Sequence, residues 1–298
     1  MGRLRKSAIR LLDWIIALRP KQWIKNVIVF AGLFFAEDMS DVHKIIPAML
    51  AFLLFCMVSS GGYLINDVMD RKKDALHPKK KLRPIASGRV PVAPALALAG
   101  VLLLAGIGLS LSLRLSFGLL IVFYVSLTIS YSLLLKRIII LDVLVIASGF
   151  VLRAIGGTLA IEEAISSWLI ICTIFLSLFL ALTKRRSEII ALGENAATVR
   201  KTLAGYSPQF LDQMINTATA ACLMSYRRYT LDSTPVAKFG TRNLAFTLPF
   251  VMYGLFRYLF LVHHHNIGES PETALLHDKP IILCIILYVG TVAAIIYL

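Results

Sequence analysis

Charge is scarce in this sequence. Of its 298 residues only 16% are charged and 17 are acidic, whereas 58% are hydrophobic and the mean hydropathy is +0.77. Soluble domains carry about a quarter charged and about 45–50% apolar residues, so this composition excludes a soluble globular protein. It also excludes a disordered chain, which needs the opposite bias. The apolar/polar alternation that marks half-buried strands is missing as well, leaving no basis for a sheet. Cysteine is sparse: Cys56, Cys172, Cys222 and Cys284 lie inside apolar runs without CxxC or metal-ligand spacing. That pattern argues against a zinc site and leaves them as small packing residues. No cleavable leader is expected, because the first apolar stretch, LLDWIIAL, is short, holds Asp13 and ends at Arg19-Pro20 without a small-residue cleavage site.

Basic residues, by contrast, are plentiful: 31 Lys and Arg give a formal net charge of +14. In a soluble protein this would suggest nucleic acid. In a chain this apolar it is first a matter of membrane topology and attraction to anionic lipid, so membrane lipids are expected partners and nucleic acid is not.

Apolar runs near the ~20 residues needed to cross a bilayer occur nine times: Trp23 to Ala36, Ile45 to Ile65, Pro91 to Leu113, Leu115 to Leu135, Ile138 to Ile161, Ser167 to Thr183, Phe210 to Tyr226, Leu244 to Val262 and Pro280 to Leu298. The expected fold is therefore all-α and polytopic. An interfacial segment over 1–22, amphipathic from 6 to 18, precedes a nine-helix transmembrane domain over 23–298. The first run holds Lys25 and Asn26, so it spans only with its basic end at the interface.

Basic residues in short loops set orientation. The N-terminal segment, the loop after the second span (Arg71 to Arg89), Lys136-Arg137 and the Lys184 to Lys201 stretch together hold roughly two thirds of the cations. The alternate loops are acidic or nearly uncharged, with Glu37, Asp38 and Asp41 in one and Glu162 and Glu163 in another. The N-terminus is thus expected in the cytoplasm and the C-terminus outside. One loop disagrees: Arg227, Arg228, Lys238 and Arg242 fall on the predicted outer side.

The second span closes with GGYLINDVMDRKKD (Gly61 to Asp74). At about 100° per residue, Asp67, Asp70 and Asp74 share a helix face, with Asn66 aligned to Asp70 and Asp74. Oxygen ligands on one helix suit Mg²⁺, which keeps several waters and bridges to substrate phosphates. A solvated helix end pairing its acids with Arg71 to Lys73 would show the same spacing. Asn66 at the membrane boundary and the small residues Ser59, Ser60, Gly61 and Gly62 favour the metal-diphosphate reading. The following HPKKKLRPIASG loop places cations beside the acids. Lys79 to Lys81 read as topology, and Arg83, in a Leu-Arg-Pro turn, as a phosphate ligand.

Polar groups inside apolar helices are costly and point to function. Asp142 and Arg153 project the same way, about 16 Å apart along one helix, and Tyr131, Ser132 and Lys136 face the same cytoplasmic mouth. TKRRSE (Thr183 to Glu188) closes the sixth span, where a stop-transfer cluster and a phosphate site are equally compatible. Lys25 and Asn26 sit one turn from Lys21 and Gln22 and form either an interfacial anchor or a phosphate-binding edge. His263, His264 and His265 are expected in a loop.

These residues resemble the UbiA-type superfamily of intramembrane prenyltransferases, whose NDxxDxxxD signature is matched by Asn66, Asp67, Asp70 and Asp74. The resemblance covers essentially the whole chain. It implies a nine-helix bundle with a cytoplasmic-side polar cavity opening to lipid, and Mg²⁺ on Asp67, Asp70 and Asp74. Ordinary members carry a second Asp-rich motif where this chain reads TKRRSE. With RPKQWIKN, YSLLLK followed by Asp142, and SGFVLRAIGG, the chain resembles the polyprenyl-phosphate (decaprenyl-phosphate) phosphoribosyltransferase branch. That branch moves phosphoribose from 5-phosphoribosyl 1-diphosphate to a polyprenyl phosphate. The product, polyprenyl-phosphoryl-5-phosphoribose, leads to lipid-linked arabinose for cell-wall arabinan. On this reading Lys184, Arg185, Lys136 and Lys25 hold phosphates, Tyr131 and Asn66 orient the ribose or diphosphate, Asp142 binds a ribose hydroxyl or fixes a cation, and Arg83 and Arg153 complete the substrate contacts. The resemblance further implies a bacterial plasma-membrane enzyme with a cytoplasmic active site, and homo-oligomerisation is compatible with it.

Two alternatives differ in what they require. A prenyltransferase acting on an aromatic or tetrapyrrole acceptor needs a second aspartate cluster. A transporter needs polar groups spread through the membrane depth and repeated broken helices, whereas here they crowd one mouth and no repeat is visible.

Overall fold

The computed structural model of the chain describes residues 11–35, 41–77, 79–164, 166–193, 201–265 and 277–297. Every regular element among them is helical. In chain order these are α1 (residues 11–18), a 3-10 segment Pro20–Phe30 running into the short α2 (Ala31–Phe34), α3 (Val42–Asp74), α4 (Val92–Leu113), α5 (Leu115–Leu133), α6 (Leu141–Ala160), α7 (Ser167–Leu192), α8 (Pro208–Leu231), the short α9 (Ser233–Phe239), α10 (Leu248–His265) and α11 (Lys279–Tyr297).

Seven of these are long and apolar enough to cross a membrane: α3 to α7, the Asn243–His264 stretch containing α10, and α11. Their outward faces carry large apolar side chains such as Leu104 at 75% and Ile286 at 60% exposure. Such faces are untenable in water and ordinary in lipid, and the chain is an integral membrane protein.

The other two expected spans differ from the seven. Where Trp23 to Ala36 was expected to cross, the chain forms the 3-10 segment, with Asn26 and Val29 buried; Gln22, Lys25 and Asn26 leave only about ten consecutive apolar residues. α8 is long enough but carries Asp212, Gln213, Asn216 and several threonines, which keeps it out of the apolar group. The three histidines belong to α10 rather than to a loop. Nothing in that run breaks a helix, and the His263 and His264 rings bond back to the Leu259 and Phe260 carbonyls at 2.9 and 3.2 Å.

Contacts divide the chain into two compact units, Met1–Ile165 and Ser166–Leu298. In the first, α3 is the spine. Its Ala51, Leu54, Phe55 and Val58 pack with Leu103 of α4, Phe117, Ile121 and Tyr124 of α5, and Val29 of the 3-10 segment. Close approach depends on missing side chains: a Cβ on Gly157 of α6 would run into the Val29 carbonyl. The 3-10 segment therefore lies directly against α6. α1 turns Leu11, Leu12, Ile15 and Ile16 outward and buries Asp13, which pairs with Arg89 at 2.6 Å. Below it, Ala17, Leu64, Ile85, Val90, Ala95 and Ala99 form a second core.

In the second unit α7 packs along α8, and α10 along α11. Phe179 of α7 meets Tyr258 of α10 with ring centroids 5.5 Å apart. Tyr226 of α8 hydrogen-bonds the Thr247 hydroxyl at 2.5 Å and donates to the Tyr288 hydroxyl of α11 at 3.2 Å.

Candidate active site

α3 has 33 residues, about 50 Å at 1.5 Å per residue, whereas the hydrocarbon core needs only ~30 Å. The excess length lets its last two turns carry acids without placing them at the bilayer centre. Asp67 and Asp74 are buried, at 2% and 5% exposure, and Asp70 is half-buried.

None of the three aspartates has its ion pair with the neighbouring Arg71 to Lys73. Arg83, in the loop after α3, spans two of them: its Nη1 donates to Asp67 Oδ1 at 3.1 Å and to Asp74 Oδ2 at 2.6 Å. Arg19, which precedes the 3-10 segment, donates to Asp67 from the other side. Lys136, in the turn between α5 and α6, holds both oxygens of Asp70 at 2.7 and 2.8 Å and reaches the Asn66 side-chain oxygen at 3.3 Å. Three carboxylates thus meet three cations drawn from three separate stretches of the first unit. Burying charges is costly unless they pair, and removing one partner of a buried pair costs about 3–5 kcal/mol.

The supporting layer is polar and aromatic. The Arg19 guanidinium lies 5.1 Å from the Tyr63 ring centroid, and Arg19 adopts a left-handed backbone with φ 56°. A non-glycine residue pays steric strain there, which persists only where surrounding contacts fix it. The Trp23 indole donates to the Ser60 hydroxyl at 3.0 Å, and that hydroxyl donates to the Leu18 carbonyl at 3.0 Å. Deeper in the bundle, Arg153 of α6 is 6% exposed. Its guanidinium donates to Asn26 Oδ1 at 2.6 Å, the Gly149 carbonyl at 2.7 Å and the Tyr124 hydroxyl at 2.6 Å. Asn26 in turn donates to Cys56 Sγ at 3.2 Å and Ser59 Oγ at 3.4 Å.

Asn66, Asp67, Asp70, Asp74, Arg83 and Lys136 therefore come together as one charged cluster. Lys25 is bonded to Gln22 one turn before it. Arg153 grips the 3-10 segment rather than the aspartates. Asp142 is fully buried at the start of α6, two residues after Ile140, whose φ of 68° is also left-handed; Tyr131 is half-buried at the end of α5. Arg19 entered the sequence reading only as a topological charge, and Tyr124 not at all. Their roles come from partners 48 and 29 positions away, which spacing does not disclose.

Lys184 and Arg185 belong to the second unit, on the last turns of α7. Arg185 is 1% exposed and pairs with Glu188 at 2.7 Å. Its neighbour Arg186 binds Asp212 of α8 at 2.5 Å, and His263 Nε2 lies 3.6 Å from the same carboxylate.

Among the described residues no group of three or more His, Cys, Asp or Glu side chains is arranged around a single point. The backbones of Asp67 and Asp74 are about 10 Å apart along the helix, yet an oxygen of each reaches the single Arg83 Nη1, at 3.1 and 2.6 Å, so the two carboxylates converge on one cationic centre. The donors are all oxygen and share one face, which fits a hard cation that retains waters and takes phosphate oxygens as further ligands. The positive charge those carboxylates require is supplied here by Arg19, Arg83 and Lys136.

A lipid-embedded helical bundle whose charged side chains converge on the carboxylate-bearing end of one helix has the architecture of an intramembrane transferase. The chain belongs to the UbiA prenyltransferase family, whose model matches residues 26–277. It is 32% identical to the decaprenyl-phosphate phosphoribosyltransferase of Mycolicibacterium smegmatis, over 95% of this chain and 92% of that one. With the enzyme of the same name from Corynebacterium glutamicum it shares 33% identity, over 100% and 91%. Among solved structures, a UbiA homolog from Archaeoglobus fulgidus bound to DMAPP and Mg²⁺ superposes with a TM-score of 0.71 at 17% identity, covering 95% of this chain and 99% of that one.

Proposed function

We propose that the protein transfers 5-phosphoribose from 5-phosphoribosyl 1-diphosphate to a polyprenyl phosphate of the decaprenyl type. The products are diphosphate and polyprenyl-phosphoryl-5-phosphoribose, a lipid-linked precursor of cell-wall arabinan. The observation that carries this reading is the pairing of one aspartate motif with cations. No aspartate lies between Asp142 and Asp212, so the second acidic motif of a prenyl-diphosphate enzyme has no counterpart, and Lys184, Arg185 and Arg186 stand in its place. Near-full-length identity to phosphoribosyltransferases supports the same branch.

In the reaction the bond between ribose C1 and the diphosphate oxygen breaks, its electron pair leaving with diphosphate. A phosphate oxygen of the lipid forms the new bond to C1. The nucleophile is already anionic at neutral pH, so no proton needs to move. Catalysis then rests on holding two anions together and stabilising the charge that develops on the leaving group. Magnesium on Asp67, Asp70 and Asp74, when bound, supplies charge neutralisation to the diphosphate.

Arg19, Arg83 and Lys136 have a double role on this reading. In the free protein they neutralise the carboxylates; once those carboxylates take a divalent ion, the same cations are released toward phosphate oxygens. Asn66 and Tyr131 orient the sugar diphosphate, Asp142 anchors the start of α6, and Lys25, Lys184 and Arg185 hold phosphate. Arg153 is a positioning residue that fixes the segment carrying Lys25. The site faces the cytoplasm of a bacterial inner membrane, from which a highly charged sugar diphosphate can enter.

The test is direct. Purified protein in detergent, given Mg²⁺, labelled 5-phosphoribosyl 1-diphosphate and polyprenyl phosphate, is expected to move label into the lipid fraction. Chelation of the metal and Asp70→Ala should each lower the rate by about a hundredfold or more. Undiminished transfer in Asp70→Ala would remove the aspartate motif from the mechanism.

A further inference from the structure

Positive charge in a short loop ordinarily keeps that loop on the cytoplasmic side, and one loop breaks the pattern. Between Tyr226 and Thr247 stand Arg227, Arg228, Lys238 and Arg242 against a single acid, Asp232. Within the second unit these residues gather where α8 ends. On α8, Arg227 and Arg228 follow Asp212 by 15 and 16 residues, about 24 Å from where Asp212 meets Arg186 and His263.

All four cations are exposed. Asp232 caps α9, its carboxylate accepting from the Thr234 backbone N–H at 3.0 Å, and of the four cations Arg228 acts on it electrostatically. Among the described residues Arg227, Arg228 and Arg242 form no ion pair. Lys238 lies 5.8 Å from the Phe239 ring centroid.

Apolar side chains share this end of the unit. Phe246 is 73% and Leu231 42% exposed. Trp168 at the start of α7 and Tyr229 near the end of α8 are half-buried, and Trp and Tyr favour the headgroup layer, where one end of the ring is apolar and the other wet. Guanidinium groups match phosphate oxygens in paired hydrogen bonds. Cations together with tryptophan and tyrosine, beside exposed Phe and Leu, form a surface complementary to a phosphate headgroup and the start of its acyl chains.

We propose that this end of the second unit is a binding surface for anionic phospholipids, with Arg227, Arg228, Lys238 and Arg242 on the headgroup phosphates and Phe246 and Leu231 entering the acyl layer. The surface is independent of the transfer reaction. It accounts for positive charge where topology alone would exclude it, because an anionic headgroup compensates each cation in place.

The full chain is reconstituted in phosphatidylcholine nanodiscs containing a minority of phosphatidylglycerol, and retained lipids are counted by native mass spectrometry. Near an anionic surface each cation is worth about 1 kcal/mol, roughly a fivefold preference. The R227Q/R228Q/K238Q/R242Q variant is therefore expected to lose phosphatidylglycerol-over-phosphatidylcholine retention by at least about fivefold, with transfer activity unchanged. The R227Q/R228Q and K238Q/R242Q pairs, each with a wild-type melting temperature, should fall between, and K238R should match wild type. Equal retention of the two lipids by wild type, or an undiminished preference in the folded paired variants, would overturn the proposal.

Discussion

One guanidinium nitrogen of Arg83 serves two carboxylates, Asp67 and Asp74. Arg83→Ala would leave Asp74 without that partner and Asp67 with Arg19 alone, so it should cost about 3–5 kcal/mol of stability and cut transfer by about a hundredfold or more. Arg83→Lys should recover only part of both, because an ammonium lacks the planar fork that spans two acceptors. Detergent melting curves and initial rates on the same preparations separate the two effects. Arg153 makes a different kind of contribution. Its three acceptors lie on different elements, and a lysine ammonium is too compact to meet the spread of a guanidinium. Arg153→Lys should lower the melting temperature and kcat while leaving the Mg²⁺ concentration for half-maximal activity unchanged, as befits a residue that positions the segment bearing Lys25. A shifted Mg²⁺ dependence would instead tie Arg153 to the metal site. At this scale the sequence was informative about the acids and silent about their partners. The i, i+3, i+7 spacing of Asp67, Asp70 and Asp74 is a local helical property. The pairing of Asp67 with Arg19 and of Asp70 with Lys136 spans 48 and 66 positions and arises only when helices pack.

At the scale of elements, the 3-10 segment Pro20–Phe30 follows directly on Arg19, which pairs with Asp67. Its polar side chains face inward: Asn26 to Arg153, and Trp23 to Ser60. Hydropathy registers only how apolar a run is, so it did not disclose the 3-10 form or the tight packing of this strap. The strap requires Gly157, because any Cβ there meets the Val29 carbonyl. Gly157→Ala should force the segment away from α6 and destabilise the protein by about 1–3 kcal/mol, with activity falling in parallel. Gly100→Ala, on a helix with no atom within 4 Å of the added Cβ, should be neutral or slightly stabilising. Equal melting temperatures for the two variants would contradict this account of the strap. The long spans were legible because lipid leaves a helix no polar alternative. α8 was legible as a helix but differs in composition, since Gln213, Asn216 and Thr217 stand on its exposed face. The histidine run escaped because its helix continues through side-chain bonds to the preceding turn, which composition does not reveal.

Across the whole molecule, a +14 chain uses its charge in separable ways. Arg19, Arg83 and Lys136 neutralise an aspartate motif, Arg185 and Arg186 are tied to Glu188 and Asp212, and the cluster at the end of α8 faces outward. Hydropathy and loop charge were enough to read the membrane class from sequence. The choice between phosphoribosyl and prenyl transfer rests on a missing second aspartate motif, and the chemistry of the donor decides it. The measurement that bears most directly on it is a head-to-head competition in one reaction: polyprenyl phosphate and an aromatic acceptor are offered together with 5-phosphoribosyl 1-diphosphate and a prenyl diphosphate, Mg²⁺ is supplied, and the lipid products are weighed by mass spectrometry. The expected result is a polyprenyl phosphate heavier by one phosphoribosyl group, absent when the metal is chelated. A prenylated aromatic product, with polyprenyl phosphate unchanged, would contradict the assignment.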